Sequence, residues 1–236
     1  MQLSVVIPCY NEGLHIRDNI TNRVIPFLRY NKIDYEIIAV NDGSKDNTLE
    51  ELNSIPGIKV VSYEVNKGKG YAVKQGLQAA SKEYVLFMDA DLSTSLDAIK
   101  TIKDKYKEYD LIFGSRHYKN SHIVKKQPPL RVFIGFCCRK IVNFKFKFKF
   151  KDTQCGFKAM NLETAKLLAE KQIIDDFAFD VEYLYIAKLN KKKMKEIPVS
   201  WENDKSSTVS PIKSSIKFFK DLRKIKKNKV NYIKED

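Results

Sequence analysis

Short uninterrupted apolar runs alternate with longer stretches of mixed polarity through the first half of the chain. Leu3-Ser4-Val5-Val6-Ile7 predicts a buried strand, followed by a polar turn and a helix from about Gly13 to Tyr30. Tyr35-Glu36-Ile37-Ile38-Ala39-Val40 predicts a second strand, which turns at Asn41-Asp42-Gly43-Ser44 into a helix capped near Asp46-Asn47-Thr48. Ile58 to Tyr63 reads as a third strand, Lys69 to Ala80 as a helix, and Tyr84-Val85-Leu86-Phe87-Met88 as a fourth strand. Strands that are apolar throughout, with helices between them, predict an α/β fold with a mostly parallel central sheet and helices on both faces. Such sheets bind ligands beyond the carboxyl ends of their strands.

Three polar turns fall at those ends: Pro8-Cys9-Tyr10-Asn11-Glu12, Asn41-Asp42-Gly43-Ser44 and Asp89-Ala90-Asp91. Residues i and i+2 of an extended segment face the same way, so Asp89 and Asp91 present two carboxylates together. Like charges so close repel unless a proton or a cation lies between them. Mg²⁺ or Mn²⁺ bound to a diphosphate fits, because these ions favour oxygen ligands and take few from the protein. An Asp-rich turn that merely ends the strand is the plainer alternative. Lys67 and Lys69 stand in a glycine-containing turn where they either touch phosphates or are simply solvated. No GxxxxGK[ST] loop is present, and Gly68-Lys69-Gly70 lacks the further glycine of a dinucleotide fingerprint.

The second half has a different pattern. Val132, Phe133, Ile134, Phe136, Ile141 and Val142 recur among Arg131, Arg139 and Lys140, which predicts a helix able to lie in a bilayer interface. Phe144 to Lys151 then alternates strictly between Phe and Lys, the pattern of a strand with four aromatics on one face, either at a membrane surface or as a half-buried edge. Ile212, Ile216, Phe219, Leu222 and Ile225 form a helical stripe among lysines, for lipid or for packing back on the domain. Charge sharpens this picture. The formal net charge is +14, yet Arg116 to Lys151 holds eleven Lys and Arg with no Asp or Glu, while the carboxylate turns lie in a mildly acidic half. An anionic partner is expected for the basic half, either an anionic membrane or nucleic acid. The first apolar stretch ends at Pro8 and no stretch approaches membrane-spanning length, so neither a signal peptide nor a transmembrane span is expected. Cys9, Cys137, Cys138 and Cys155 lack CxxC spacing and read as reduced cytosolic thiols.

The chain resembles the family 2 glycosyltransferases of the GT-A fold, and within them the polyprenyl- (dolichyl-) phosphate sugar transferases. The resemblance rests on VVIPCYNE at Val5 to Glu12, VNDGSKDNT at Val40 to Thr48, NKGKGYAVKQGL at Asn66 to Leu77 and FMDADLST at Phe87 to Thr94. It continues through FGSR at Phe113 to Arg116, DTQCGFK at Asp152 to Lys158, FDVEYLY at Phe179 to Tyr185 and EIPVSW at Glu196 to Trp201. DTQCGFK looks most like the dolichyl-phosphate glucosyltransferase branch.

The resemblance implies an inverting transfer of a hexose from a nucleotide sugar to a polyprenyl phosphate at the cytosolic membrane face. UDP-glucose is favoured as donor, with GDP-mannose the other candidate. By the same resemblance Pro8, Tyr10, Glu12, Val40, Asp42, Lys69, Asp89 and Ala90 would line the donor, with Asp42 receiving the base. Asp91 would be the first metal ligand and Asp89 the second, and Arg116, less strongly Arg131, would hold the acceptor phosphate. Asn41 departs from the acidic residue usual there, and Ser93 from a longer amide. A phosphomonoester is already an anionic nucleophile at neutral pH, so a base is needed only for an alcohol acceptor. Asp152, Asp180 and Glu182 are the candidates for one, and Asp152 is equally suited to organising the pocket floor. The expected organisation is a GT-A domain over 1–205 with a basic membrane-facing insert at about 116–151, followed by a basic helical extension over 206–236. A saccharide acceptor is the rival reading. A nucleic-acid-binding module would account for the charge but leaves the carboxylate turns unexplained, so no nucleic-acid partner is expected.

Overall fold

The computed structural model describes residues 1–124, 129–202 and 211–234, the side chains of 129–131 and 211–215 excepted. Strand β1 (Gln2–Cys9) leads into α1 (Ile16–Asp18), a π-helical segment (Asn19–Val24) and α2 (Ile25–Tyr30). Then follow β2 (Asp34–Asp42), α3 (Thr48–Asn53), β3 (Lys59–Tyr63), α4 (Lys69–Ala79), β4 (Tyr84–Met88), α5 (Ala98–Lys105) and β5 (Leu111–Ser115). The second half adds β6 (His122–Ile123), α6 (Pro129–Phe146), β7 (Phe157–Asn161), α7 (Leu162–Lys171), α8 (Phe179–Leu189), β8 (Met194–Pro198), β9 (Ser200–Trp201) and α9 (Pro211–Lys227).

Among the described residues a seven-stranded sheet runs β3-β2-β1-β4-β7-β5-β8. All its neighbours pair in parallel except those of β7, which is antiparallel to both β4 and β5. Successive strand residues point to opposite faces, and both faces are covered. Val6, Ile38, Val40, Val85 and Phe87 enter the core beneath α4, α6, α7, α8 and α9, while Val5, Ile7, Ile37, Ala39, Leu86 and Met88 enter the core beneath the other helices. The reversed β7 brings its start, and the loop at 152–156 before it, to the same edge as the carboxyl ends of β1, β2, β4 and β5.

Three expectations are corrected. The single helix from Gly13 to Tyr30 is interrupted by the π segment, which lets Asn19 donate from Nδ2 to the Ala90 carbonyl at 2.9 Å. Wide turns of this kind occur at functional sites. The Phe-Lys alternation is not a strand: α6 runs to Phe146, and Lys147 at φ 54° closes it in the left-handed region. Phe146, Phe148 and Phe150 then form an aromatic ladder against Phe113 and Tyr185, leaving Phe144 alone 89% exposed. On α9 the expected Leu222 and Ile225 are buried and Phe219 packs half-buried against the same core, but Phe218 joins them and Ile216 is exposed; Ile212 lies outside the described side chains. Its apolar face packs on the domain, and its Lys217, Lys220, Arg223, Lys224 and Lys227 face solvent. The expected boundary at 205/206 also lies outside the described residues. Among the described residues no helix is long and apolar enough to cross a membrane.

Candidate active site

The first two turns are stitched into one ledge. Asn11, in the left-handed region at φ 55°, donates its N–H to Ser44 Oγ at 3.0 Å and accepts from Lys45 N–H at 2.8 Å. Glu12 N–H donates to Thr48 Oγ1 and Gly13 N–H to Asp46 Oδ2. Asn41 explains its departure from an acid: Nδ2 donates to Ser62 Oγ while Oδ1 accepts from Ser44 N–H, so an amide serves both bonds. Gly43 has φ 64°, and a Cβ there would stand 2.5 Å from Asn66 N. Only glycine admits this approach of the 64–66 loop. On the ledge Tyr10 is exposed and Pro8 half-buried, while Val40 is buried within its strand.

Asp42 is nearly enclosed. It accepts from Lys67 N–H at 2.8 Å, Gly68 N–H at 3.0 Å and Asn66 Nδ2 at 2.9 Å. Its carboxylate thus shapes the 66–68 turn that precedes Lys69, and a base reaching it would share oxygens already in use.

Asp89 and Asp91 stand where β4 leaves the core. Asp91 is held by Ser93, whose N–H donates to Oδ1 at 2.9 Å and whose hydroxyl donates to Oδ2 at 2.7 Å. Ser93 therefore orients the carboxylate where a longer amide was the familiar pattern. Leu92 between them takes φ 53°, a strained conformation for a branched apolar residue of the kind that collects at functional sites. Lys69 donates to Asp89 Oδ1 from the first turn of α4. Burial, together with the Asp89 charge, raises the Asp91 pKa against the Ser93 bonds and Lys69. Asp91 is thus met by the neutral donors of Ser93, to which a bound cation would add positive charge. Among the described residues no group of three or more His, Cys, Asp or Glu is placed to hold a metal. The donor set here suits an ion that takes two protein oxygens and completes its shell from phosphate and water.

Arg116 extends from the end of β5 into a two-pronged pair with Asp152, Nε to Oδ2 at 2.7 Å and Nη2 to Oδ1 at 3.0 Å. Its backbone N–H donates to the same carboxylate, and its guanidinium lies 5.5 Å from the centre of the Trp201 ring. Burial works against ionisation of Asp152, but Arg116 overrides it and holds the carboxyl well below the usual range. Asp152 thereby fixes the arginine, leaving Nη1 as the nitrogen not directed at Asp152. Glu196 supports both from beneath, accepting from Lys151 N–H at 2.9 Å and Asp152 N–H at 2.8 Å. Arg131 lies on α6, and its expected phosphate contact falls outside the described side chains.

Asp180 and Glu182 face inward from α8. Glu182 is fully buried, accepting from Ile173 N–H, Ile174 N–H and the Tyr232 hydroxyl, so it braces the fold rather than the sheet edge. Asp180 pairs with Lys158, a fully buried lysine that sequence reasoning passed over. The only signal for it was its place in DTQCGFK, at a strand position that alternation reads as outward-facing.

Against known proteins, the model of a family described as "Glycosyl transferase family 2" matches residues 4–168. A dolichyl-phosphate beta-glucosyltransferase of Dictyostelium discoideum is 34% identical across 95% of this chain and 73% of its own length. The dolichyl-phosphate beta-glucosyltransferase of Homo sapiens is 29% identical across 94% of this chain and 74% of its own. Among solved structures, glucosyl-3-phosphoglycerate synthase from Mycobacterium tuberculosis in complex with Mn²⁺, uridine-diphosphate and phosphoglyceric acid has a TM-score of 0.68 at 16% identity, covering 100% of this chain and 80% of that one. That likeness shows the fold, the GT-A arrangement.

Proposed function

The chain belongs to glycosyl transferase family 2, and from that premise we propose that it transfers glucose from UDP-glucose to a polyprenyl phosphate of the dolichyl type, with inversion. The observation that carries this reading is one sheet edge bearing two chemistries. Asp89 and Asp91 with Lys69 stand at the end of β4, and the anchored Arg116 stands at the end of β5. The first set suits a metal-bound diphosphate, the second a phosphomonoester acceptor. The relatives named as dolichyl-phosphate beta-glucosyltransferases support the acceptor and the sugar, and the structural neighbour with Mn²⁺ and uridine-diphosphate supports the donor class.

Asp91 and Asp89 would hold Mg²⁺ or Mn²⁺, whose charge offsets that of the departing nucleoside diphosphate. Lys69, already on Asp89, would share that charge. The ledge of Pro8, Tyr10 and Glu12 would take the nucleoside against the Asp42 turn, with Val40 and Ala90 as its buried support. Arg116 would orient the acceptor phosphate, which needs no base because it is already ionised. Asp152, bound twice by Arg116, acts as the anchor rather than as a base.

The acceptor's lipid fits a surface near this edge. Val132, Phe133, Phe136, Ile141 and Phe144 are exposed along α6, interleaved with Arg139, Lys140 and Lys145. Apolar side chains beside cations match the acyl and phosphate layers of an anionic membrane, so we place the protein peripherally at the cytoplasmic face of such a membrane. The test is a donor screen with UDP- and GDP-sugars, Mg²⁺ or Mn²⁺ and a short polyprenyl phosphate. Metal-dependent glucosyl lipid is expected from UDP-glucose, and Asp91→Ala should lower its formation by about 10²- to 10³-fold, the cost of removing one preorganised electrostatic group. Donor hydrolysis without lipid product would reject the lipid phosphate and point to a saccharide acceptor.

A further inference from the structure

Lys158 and Asp180 form a buried pair for which the reaction above has no use. Lys158 has no exposed surface, donates to Asp180 Oδ1 and to the Cys155 carbonyl at 2.7 Å, and lies 5.5 Å from the centre of the Phe87 ring. Removing a lysine and a carboxylate from water is costly, and apolar residues of similar volume often serve stability as well or better. Packing alone therefore does not account for a charge pair at this depth.

Its placement does. In the β4 and β7 ladder Lys158 is opposite Phe87, two residues before Asp89. The carbonyl that Lys158 holds belongs to Cys155, and the next residue walls in Asp89. Asp89 N–H donates to the Gly156 carbonyl at 3.2 Å, and a Cβ at Gly156 would lie 2.1 Å from Asp89 Oδ2. On its other side Asp180 interacts electrostatically with Lys69, the lysine that donates to Asp89. One buried pair thus reaches the backbone that confines Asp89 and the lysine that neutralises it.

We propose that Lys158 and Asp180 are positioning residues that hold Asp89 and Lys69 in the arrangement that receives a metal-bound nucleoside diphosphate. The pair acts through the Cys155–Gly156 backbone and through charge, without touching the ligand. This rests on the donor reading above, and independently of which acceptor is used.

The experiment compares the parent protein with Asp180→Asn and with the double variant Lys158→Met, Asp180→Leu, which removes both charges together and so avoids an unpaired buried ion. Thermal melting establishes folding, and calorimetric titration with UDP in the presence of Mn²⁺ reads the site without turnover. Both variants should fold and bind Mn²⁺ with UDP at least about tenfold more weakly, the scale seen when groups behind metal ligands are lost. Their kcat should fall while KM for the lipid phosphate stays at the parental value. Parental affinity and kcat in a folded variant would make the pair purely structural, as would a double variant that cannot fold. A parent that binds no UDP with Mn²⁺ would overturn this inference together with the donor reading. A parent that binds UDP but glycosylates no lipid would overturn the acceptor alone.

Discussion

The two halves of the sheet edge are built by different means. Around β1, β2 and β4 the polar turns are tied by hydrogen bonds between loop backbone and short side chains, such as Glu12 N–H on Thr48 and Ser93 on Asp91. Around β7, β5 and α8 the structure relies on charge pairs that are distant in sequence: Arg116 with Asp152, and Lys158 with Asp180. The first construction gives Asp91 the neutral donors of Ser93 and Asp89 the single cation of Lys69, an arrangement suited to a bound cation. The second gives each carboxylate a cationic partner, so that it fixes another group. A carboxylate's role here follows from the charge of the donors that face it: neutral donors leave Asp91 open to a cation, whereas Arg116 and Lys158 commit Asp152 and Asp180 to fixing other groups.

Glu182 tests that rule with the largest effect. Burial pushes its pKa up to about 7, against the bonds from Tyr232, Ile173 and Ile174 and the charge of Lys74. The folded state therefore keeps a proton that the unfolded chain, at the ordinary carboxylate value of 4.5, releases earlier. Stability from this group is fully present below the unfolded value and is lost as pH rises through about 7, a loss of roughly 3 kcal/mol over that interval. Urea midpoints of the parent and Glu182→Gln measured across this interval should show the parent losing ground to the variant as pH rises. A difference that stays constant with pH would mean that the three donors keep Glu182 ionised throughout.

The halves meet at Gly156, where a β7-side backbone confines a β4-side carboxylate. Gly156→Ala should displace Asp89 and cut kcat by about 10²-fold, the penalty for misplacing a reacting group by about 1 Å, with little change in the lipid-phosphate KM. Equal losses in kcat and in lipid-phosphate affinity would show that the halves are not separable. This junction also marks where the sequence stops being legible. Apolar runs that end in polar turns display β1, β2 and β4 directly, and with them Asp89, Asp91 and the ledge. Nothing local in Phe157-Lys158-Ala159-Met160 reveals that this strand inserts in reverse between β4 and β5, which is what turns Lys158 inward. The same dependence on distant partners hid which group Asp152 organises: its place in the pocket floor is readable, its pairing with Arg116, 36 residues away, is not. The Phe-Lys alternation misled for a related reason, since its period is that of a strand while its first residues continue a helix and the later ones pack as an aromatic ladder.

The smallest expected effect lies on the outer face of the second half. Phe144 is 89% exposed on α6, and together with Lys140, Ile141 and Lys145 it lines a shallow hollow of about 470 Å³. A phenylalanine left in water while Phe146 and Phe148 are buried has no role in the core, and the neighbouring lysines would draw it toward anionic headgroups. Phe144→Ser should weaken partition onto vesicles containing anionic lipid by about tenfold, since partial burial of one aromatic ring is worth roughly 1.5 kcal/mol. UDP affinity in the presence of Mn²⁺ should not move, because the substitution lies outside the donor ledge. The parent should also bind less as salt is added, for the lysines contribute through a screened attraction. Partition unchanged by the substitution but still sensitive to salt would transfer the docking role to the solvent-facing lysines of α9, and would leave α6 as a wall of the acceptor site rather than its contact with the bilayer.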